Sequence, residues 1–341
     1  MGSVTYPPHM SARPFDPLVR WGVLAPGRIA RKFARDLTLT PGAVLGAVGS
    51  RRLDAARAFA DEFGGVTAHG SYEDLVADPN VDVVYVASPH ALHLAHVRLA
   101  LEAGKHVLCE KPVTVHVADA EEMIALAREH GRFLMEAMWT ACHPVVLALR
   151  DGLAAGRFGS PRHLHAELGA RFEGPSESRI FDPDLGASVL LDIGIYPLTF
   201  AHLLLGPAEE LSALAVLSDL GYDADVAIAG RYPGGTLATM AASMTSWSSR
   251  TASIATDLGR IDVPDSFHHP AYAVFTPIGG EPVRIEGAEP VIGRGYGNEI
   301  AEVGRCLREG LLESPLVPHE QTLLIMRQLG DLRRQVGAVA G

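Results

Sequence analysis

Cysteine is scarce in this chain. There are three, Cys109, Cys142 and Cys306, scattered far apart. Thiols without metal-type spacing exclude a zinc cluster and a disulfide framework, and they fit a reducing compartment. Basic residues are outnumbered: 29 lysines and arginines face 40 acids, for a formal charge of −11. Such a balance lacks the basic footprint a nucleic-acid partner requires. No uninterrupted apolar stretch reaches the length of a membrane span, and no basic-then-apolar leader opens the chain. No membrane partner is therefore expected, and the expected address is the cytoplasm. Internal repeats and low-complexity runs are absent as well.

What is present is enough apolar material for two domains. The chain has 341 residues, of which 48% are hydrophobic. That length is too great for one ordinary domain and comfortable for two. Residues 1–18, rich in proline and small side chains, read as a flexible N-terminal tail. From Val19 onward the text alternates short apolar runs with helical spacing. Strands are expected at 19–24, 43–48, 82–87, 106–109 and 133–137, with helices at 28–37, 54–63, 91–103 and 117–130. Gly104 and Gly131 stand where helix C′ residues belong. Alternation of this kind predicts an α/β, doubly wound parallel sheet with right-handed crossovers.

The rhythm changes after Trp139. Helices are expected at 144–155 and 194–205. Alternating segments at 163–170, 211–217, 224–231, 237–244 and 253–262 predict a large, mostly antiparallel open sheet. Two amphipathic helices, 299–309 and 320–336, end the chain. The expected division is a dinucleotide-binding domain over 19–141 and a substrate-binding and oligomerisation domain over 142–341.

The first strand-to-helix turn reads Ala25-Pro26-Gly27-Arg28-Ile29-Ala30. A dinucleotide fingerprint places glycine at 25, 27 and 30, and here only Gly27 is glycine. Gly27 lets a backbone approach a pyrophosphate, and Ala30 is small enough for helix–strand packing. Ala25 departs from the pattern. The second strand ends in Ser50-Arg51-Arg52 instead of the acid that would hold unphosphorylated ribose. A hydroxyl and forked guanidinium groups suit a 2′-phosphate, so NADP is expected over NAD. Ser88, His90 and His93 follow the third long apolar run, at the strand ends where open α/β sheets bind ligands. With Pro26, Gly27, Arg28, Ile29, Glu110 and Lys111 they complete the expected cofactor set. No metal site is expected, because His90 and His93 have no further ligands placed beside them.

Two segments carry the chemistry. Val107-Leu-Cys-Glu110-Lys111-Pro112 ends a buried run in an acid, a base and an imino acid. Asp192-Ile-Gly-Ile-Tyr196-Pro197 places a carboxylate and a phenol four positions apart. If this stretch is helical, both side chains project from one face, with the helix proper beginning near Gly194 because of Pro197. Lys111, Tyr196 and Asp192 are the expected catalytic residues. A phenol has a pKa near ~10, and a nearby ammonium is expected to lower it toward useful base strength. Each residue alone reads more readily as a loop lysine or a helix N-cap; the joint order along the chain is what points to proton transfer.

Ala103-Gly-Lys-His-Val-Leu-Cys-Glu-Lys-Pro112 and Asp192-Ile-Gly-Ile-Tyr-Pro197 resemble the Gfo/Idh/MocA family of nicotinamide-dependent oxidoreductases, a resemblance covering nearly all of 19–336. Met135-Glu-Ala-Met-Trp139 and the terminal helices resemble most the branch of dimeric dihydrodiol dehydrogenases and NADP-dependent D-xylose dehydrogenases. The resemblance implies a Rossmann domain, a second domain with an open sheet, and a cis bond before Pro112. It implies that Lys111 contacts substrate and cofactor and that Tyr196 is the acid/base. It also implies a homodimer, or a dimer of dimers, formed through the open sheet. The implied reaction is hydride exchange between NADP and a sugar, polyol or cyclic diol. The alternatives are a ketoreductase acting on a nucleotide-linked or free keto sugar, and a non-catalytic NAD(P)-sensing regulator. Related chains of this branch read Trp-Thr-Arg where this one has Trp139-Thr140-Ala141. His143 or Arg179 is the expected substitute for the missing base, and Arg162, Arg171, Phe172 and Arg179 are expected to line the cleft.

Overall fold

The computed structural model describes residues 18–173 and 179–338. The expected tail over 1–18 falls almost wholly outside the described residues.

The first half runs β1 (Val19–Leu24), α1 (Arg28–Leu37), β2 (Ala43–Gly49), α2 (Leu53–Glu62), β3 (Thr67–His69), α3 (Tyr72–Ala77), β4 (Val83–Val86), α4 (His93–Glu102), β5 (His106–Glu110), α5 (Val117–Glu129) and β6 (Leu134–Ala137). The strands form one six-stranded sheet in the order β3-β2-β1-β4-β5-β6. Every pairing in it is parallel. Val83, Val84, Tyr85 and Val86 are all buried, because helices cover both faces of a parallel sheet. Gly22 and Gly49 let α3 come close: a Cβ on Gly49 would lie 2.8 Å, and one on Gly22 3.2 Å, from Leu75 side-chain atoms. The strand order reverses between β1 and β4, and ligand crevices open at such a switch point.

The second half begins with α6 (Pro144–Ala154) and β7 (Pro161–Gly169). A π turn (Leu190–Gly194) then leads into α7 (Ile195–Leu205), the helix start the position of Pro197 predicted. The strands β8 (Glu210–Leu217), β9 (Asp223–Tyr232), β10 (Thr236–Ser243), β11 (Ala252–Thr256), β12 (Gly259–Val263), β13 (Ala273–Pro277) and β14 (Val283–Ile285) follow. Together with β7 they make an eight-stranded sheet, β14-β13-β12-β11-β7-β10-β9-β8. Only the β7–β10 pairing is parallel. α7 packs on β7 and β10, which buries one face of the sheet.

The last two helices, α8 (Tyr296–Arg308) and α9 (His319–Gln335), return to the first half. α8 lies on α1, and α9 on α5. Buried Asp36 on α1 ties this return, accepting from the backbone N–H groups of Arg294 at 2.7 Å and Tyr296 at 3.1 Å.

The segment read as one strand over 253–262 is a hairpin. Thr256 turns the chain, its hydroxyl accepting from the N–H of Gly259 at 3.0 Å and donating to the Phe158 carbonyl at 2.6 Å. Sequence periodicity also missed β3, α3, β13 and β14. These are short elements whose stability comes from neighbours and not from their own pattern.

Candidate active site

The nucleotide end of the crevice is built by the β1–α1 turn. Ala25 adopts φ 71°, the left-handed conformation for which the fingerprint uses glycine. Its N–H donates to the Gly49 carbonyl at 3.1 Å, and its own carbonyl accepts from the N–H of Gly27 at 2.8 Å. The departure at position 25 therefore leaves the tight turn intact. Gly27 caps α1 with open space above it: a Cβ there would meet nothing within 4 Å. This is a cradle in which backbone amides at a helix N-terminus can receive a pyrophosphate. Arg28, Ile29 and Lys32 line the cavity beyond, while the Pro26 carbonyl accepts from Arg31 at 2.8 Å.

Ser50, Arg51 and Arg52 stand past the end of β2, outside the central cavity. Ser50 is buried, and its hydroxyl accepts from the backbone N–H of Arg52 at 3.2 Å. Arg52 pairs with Asp54 at 2.6 Å on the surface. Arg51 lies against the Tyr72 phenol. Ser88 accepts or donates through its hydroxyl to His96 Nδ1 at 2.8 Å.

The central cavity measures about 980 Å³. It brings Ser88, His90, Glu110, Lys111, Asp192 and Tyr196 to one surface. The Lys111–Pro112 bond is cis. The Lys111 ammonium donates to the backbone carbonyl of Asp192 at 2.7 Å and sits 4.8 Å from the centre of the Tyr196 ring. Pro197 offers no N–H to the carbonyls one turn before it. Burial pushes Lys111 down from the usual lysine range, against the raising influence of Asp192 and Glu110. Glu110 accepts from the Tyr85 hydroxyl and from the Lys111 backbone N–H. Burial raises the Glu110 carboxyl.

Asp192 is buried, with one carboxylate oxygen 3.6 Å from His90 Nε2 and 3.8 Å from Arg179. Its other oxygen has no partner among the described residues. An unpaired buried oxygen on a carboxylate that lines a cavity marks acceptor capacity the fold leaves unused. Burial raises this carboxyl, opposed by Lys111 and Arg179.

Tyr196 corrects one expectation. Its phenol is raised far above the ordinary value, by burial first and then by Glu110, with the Trp139 hydrogen bond acting to lower it. The nearby ammonium does not make a phenolate. Trp139 Nε1–H donates to the Tyr196 oxygen at 3.1 Å, so the phenol's own proton is free to point at a ligand. The geometry is that of a proton donor.

His93 lies beneath the cavity and does not line it. It is fully buried, with Nε2 2.8 Å from the Ser88 carbonyl and Nδ1 3.1 Å from the Pro112 and Val113 carbonyls. It braces the end of β4 against the Glu-Lys-Pro turn. Burial drives this imidazole down to about 4.

Of the four residues expected along the cleft, Phe172 and Arg179 line it. Arg162 faces Asp257 at 3.5 Å and Arg171 faces Glu173 at 2.9 Å, both exposed. Ala141 is buried; His143 and Arg179 both reach the cavity.

Sequence reasoning missed the opposite wall. Trp139 stacks on Tyr296 at 4.3 Å and on His269 at 4.8 Å, and His268 lies 4.9 Å from Tyr196. Arg250 and Arg294 join this wall. No motif links these residues, which meet only because α8 and the β12–β13 connection return to the crevice.

Comparison with known proteins agrees with this geometry. The chain matches the family model described as "Oxidoreductase family, NAD-binding Rossmann fold" over residues 19–138 and the "GFO/IDH/MocA C-terminal domain" over 146–262. It is 37% identical to the trans-1,2-dihydrobenzene-1,2-diol dehydrogenase of Mus musculus, covering 94% of this chain and 97% of that one. It is 33% identical to the D-xylose 1-dehydrogenase (NADP(+)) of Hypocrea jecorina, over 94% and 92% of the two chains. A 3-ketoreductase from Actinomadura kijaniata, solved with NADP and TDP-benzene, superposes with TM-score 0.83 at 28% identity over 94% and 98% of the chains. An aldose-aldose oxidoreductase from Caulobacter crescentus shares the fold at TM-score 0.85 and 22% identity, over 93% and 97%. With both halves matched in order, the chain belongs to the Gfo/Idh/MocA family of oxidoreductases.

Proposed function

We propose that this protein is an NADP-dependent oxidoreductase that exchanges hydride with a sugar, polyol or cyclic diol at a CH–OH or C=O carbon. One observation carries the reading: the Lys111 ammonium lies 4.8 Å from the Tyr196 ring and 2.7 Å from the Asp192 carbonyl, inside a cavity that Arg28 and Ile29 of the nucleotide loop also line. The open space over Gly27 and the left-handed turn at Ala25 suit a dinucleotide phosphate. NADP, when bound, supplies or accepts the hydride.

The protein's own groups do the rest. Tyr196 gives its proton to the carbonyl oxygen in reduction, and the phenolate so left is the form that takes a proton back when the same step runs in reverse. Lys111 places a positive charge beside that oxygen, where negative charge develops. Asp192 accepts a substrate hydroxyl through its carboxylate, which lines the cavity. His90 lies against the same carboxylate at 3.6 Å. Ser50 and Arg51 hold the 2′-phosphate in this reading, and residues 19–141 and 142–341 divide the labour between cofactor and substrate.

The second reading is a ketoreductase on a keto sugar. It draws support from Tyr196, whose phenol is held protonated with its oxygen accepting from Trp139, so that its proton is available for donation. A non-catalytic sensor accords less well, since a sensor has no use for an aligned donor and ammonium.

The protein is proposed to act in the cytoplasm as a homodimer. Support for the dimer is the outer face of β8–β9–β10, where Leu214 (81% exposed) lies level with Ala227 and Ala241 and exposed Val216 and Leu237 stand on the same face.

The test is absorbance at the reduced-nicotinamide band with a panel of aldoses, cyclitols and keto sugars. Tyr196→Phe is expected to keep NADPH affinity and to cut turnover by about a hundredfold or more. Wild-type turnover in that variant removes Tyr196 from its role.

A further inference from the structure

Two buried carboxylates outside the scheme above stand behind the reacting groups, and neither lines the cavity. Glu136 lies in β6. One of its oxygens accepts from the backbone N–H of Val113 at 3.0 Å, which holds the chain two residues past Lys111. The other accepts from the hydroxyl of Thr322, on α9, at 3.1 Å. His319, one turn earlier on the same helix, has Nε2 2.9 Å from the Leu134 carbonyl of β6. The first turns of α9 are thus fastened to the strand and the loop that present the ammonium.

Asp223 is the first residue of β9 and is fully buried. One of its oxygens accepts from the Ser188 hydroxyl at 3.0 Å and from the N–H of Leu190 at 2.7 Å. The Ser188 hydroxyl in turn accepts from the N–H of Leu191 at 3.2 Å, and the Ser188 carbonyl from the N–H of Asp192 at 3.0 Å. Amides at a helix start have no partner within the helix. Here a side chain from a distant strand receives them and fixes the π turn that carries Asp192 and leads to Tyr196. α9 packs on this turn and on α7, and its buried Arg333 attracts Asp223 as a charge of opposite sign.

Thr322 and Arg333 lie about three helical turns apart on one stripe of α9, with buried Met326 and Leu329 between them. One helix therefore reaches both turns. The Lys111 ammonium belongs to the first and the Tyr196 phenol to the second, and a displacement of about 1 Å between such groups can cost a hundredfold in rate. We propose that Glu136 and Asp223 are positioning residues, each bracing one of the two turns, and that α9 sets the spacing of Lys111 and Tyr196 through them. The proposal rests on the oxidoreductase reading above and adds to it the parts that hold its donor and its charge in register.

The experiment measures kcat, KM and NADPH affinity for Thr322→Val, Thr322→Ser, Asp223→Asn and the double variant Thr322→Val/Asp223→Asn, on the panel substrate that wild type turns over fastest. Thr322→Val and Asp223→Asn should each lower kcat by about tenfold, with KM and the NADPH fluorescence titration unchanged. Thr322→Ser keeps the hydroxyl and should recover most of the loss. The double variant should fall no further than the worse single one, because both act on one spacing, whereas independent effects would multiply to about a hundredfold. If Asp223→Asn does not fold, Ser188→Ala, which removes only the hydroxyl between Asp223 and Leu191, takes its place with the same expectations. Wild-type kcat in either single variant, no recovery by serine, or losses that multiply overturn the proposal and leave the oxidoreductase reading standing. Absence of turnover by wild type across the panel overturns both.

Discussion

The Lys111 ammonium is anchored to the backbone carbonyl of Asp192, 2.7 Å away, and not to its carboxylate. The two groups therefore have separable duties. Lys111→Met should lower kcat by roughly a hundredfold or more, because it removes the charge that steadies the reacting oxygen. Asp192→Asn leaves the carbonyl, and hence the lysine, in place. Its effect should fall chiefly on KM. Steady-state kinetics of both variants decide this; an equal collapse of kcat in each would mean that the carboxylate positions the lysine after all.

Cofactor choice is testable at the end of β2. Arg52 is already paired with Asp54 at 2.6 Å, which leaves Arg51 as the guanidinium closer to the task. Arg51→Ala should weaken NADPH binding by about tenfold or more, the scale of a lost charge-assisted hydrogen bond, and leave NADH nearly untouched. Parallel fluorescence titrations with the two nucleotides read the difference. Equal losses for both, or tighter binding of NADH by wild type, would refute the 2′-phosphate assignment.

Ala25 holds φ 71° in the nucleotide turn. A side chain in the left-handed region costs ~1–2 kcal/mol, part of which glycine gives back through its greater freedom in the unfolded chain. Ala25→Gly should therefore raise stability by a few tenths to about 1 kcal/mol, visible as a higher Tm. A lower Tm would show that Ala25 does not hold the left-handed conformation in the folded protein.

Acid should loosen the fold before it touches the chemistry. Burial lowers His93, His106 and His143 from 6.5 to about 4. Unfolded chains bind protons at these sites first as pH falls, so the stability they contribute is complete above 6.5 and disappears between 6.5 and 4. Each can account for up to about 3 kcal/mol. Glu136 works the other way. Burial raises it from 4.5 to about 7, so it favours the folded state at low pH, and its contribution fades as pH climbs through that window. Denaturant midpoints should fall between pH 6.5 and 4, and more steeply in Glu136→Gln. A flat profile would contradict the burial of these imidazoles as neutral groups.

Much of the first half was legible because its signals are local. Val83-Val84-Tyr85-Val86 is buried on both sides and reads as an unbroken apolar run; Gly104 and Gly131 mark helix ends within one turn of where they act. Lys111 and Tyr196 stand in short runs whose neighbours announce them. The aromatic wall had no such signal. Trp139, His268 and Tyr296 come from three distant segments, and their meeting depends on the return of α8 over α1. Nor could the text show the state of Tyr196. Proximity of an ammonium suggested a weaker phenol O–H bond, whereas desolvation, a property of the packed cleft, outweighs it. Thr256 hid its hairpin for a similar reason: its hydroxyl reaches across to Phe158, a partner no periodicity reveals.

The grip of Asp36 on the backbone of Arg294 and Tyr296 has an engineering corollary. Excising the nucleotide half by cutting after residue 141 would strip the blanket from two of its helices and leave oily flanks to aggregate. Anyone transplanting this module onto another catalyst must carry the terminal pair of helices along as a graft, even though they are encoded at the far end of the chain.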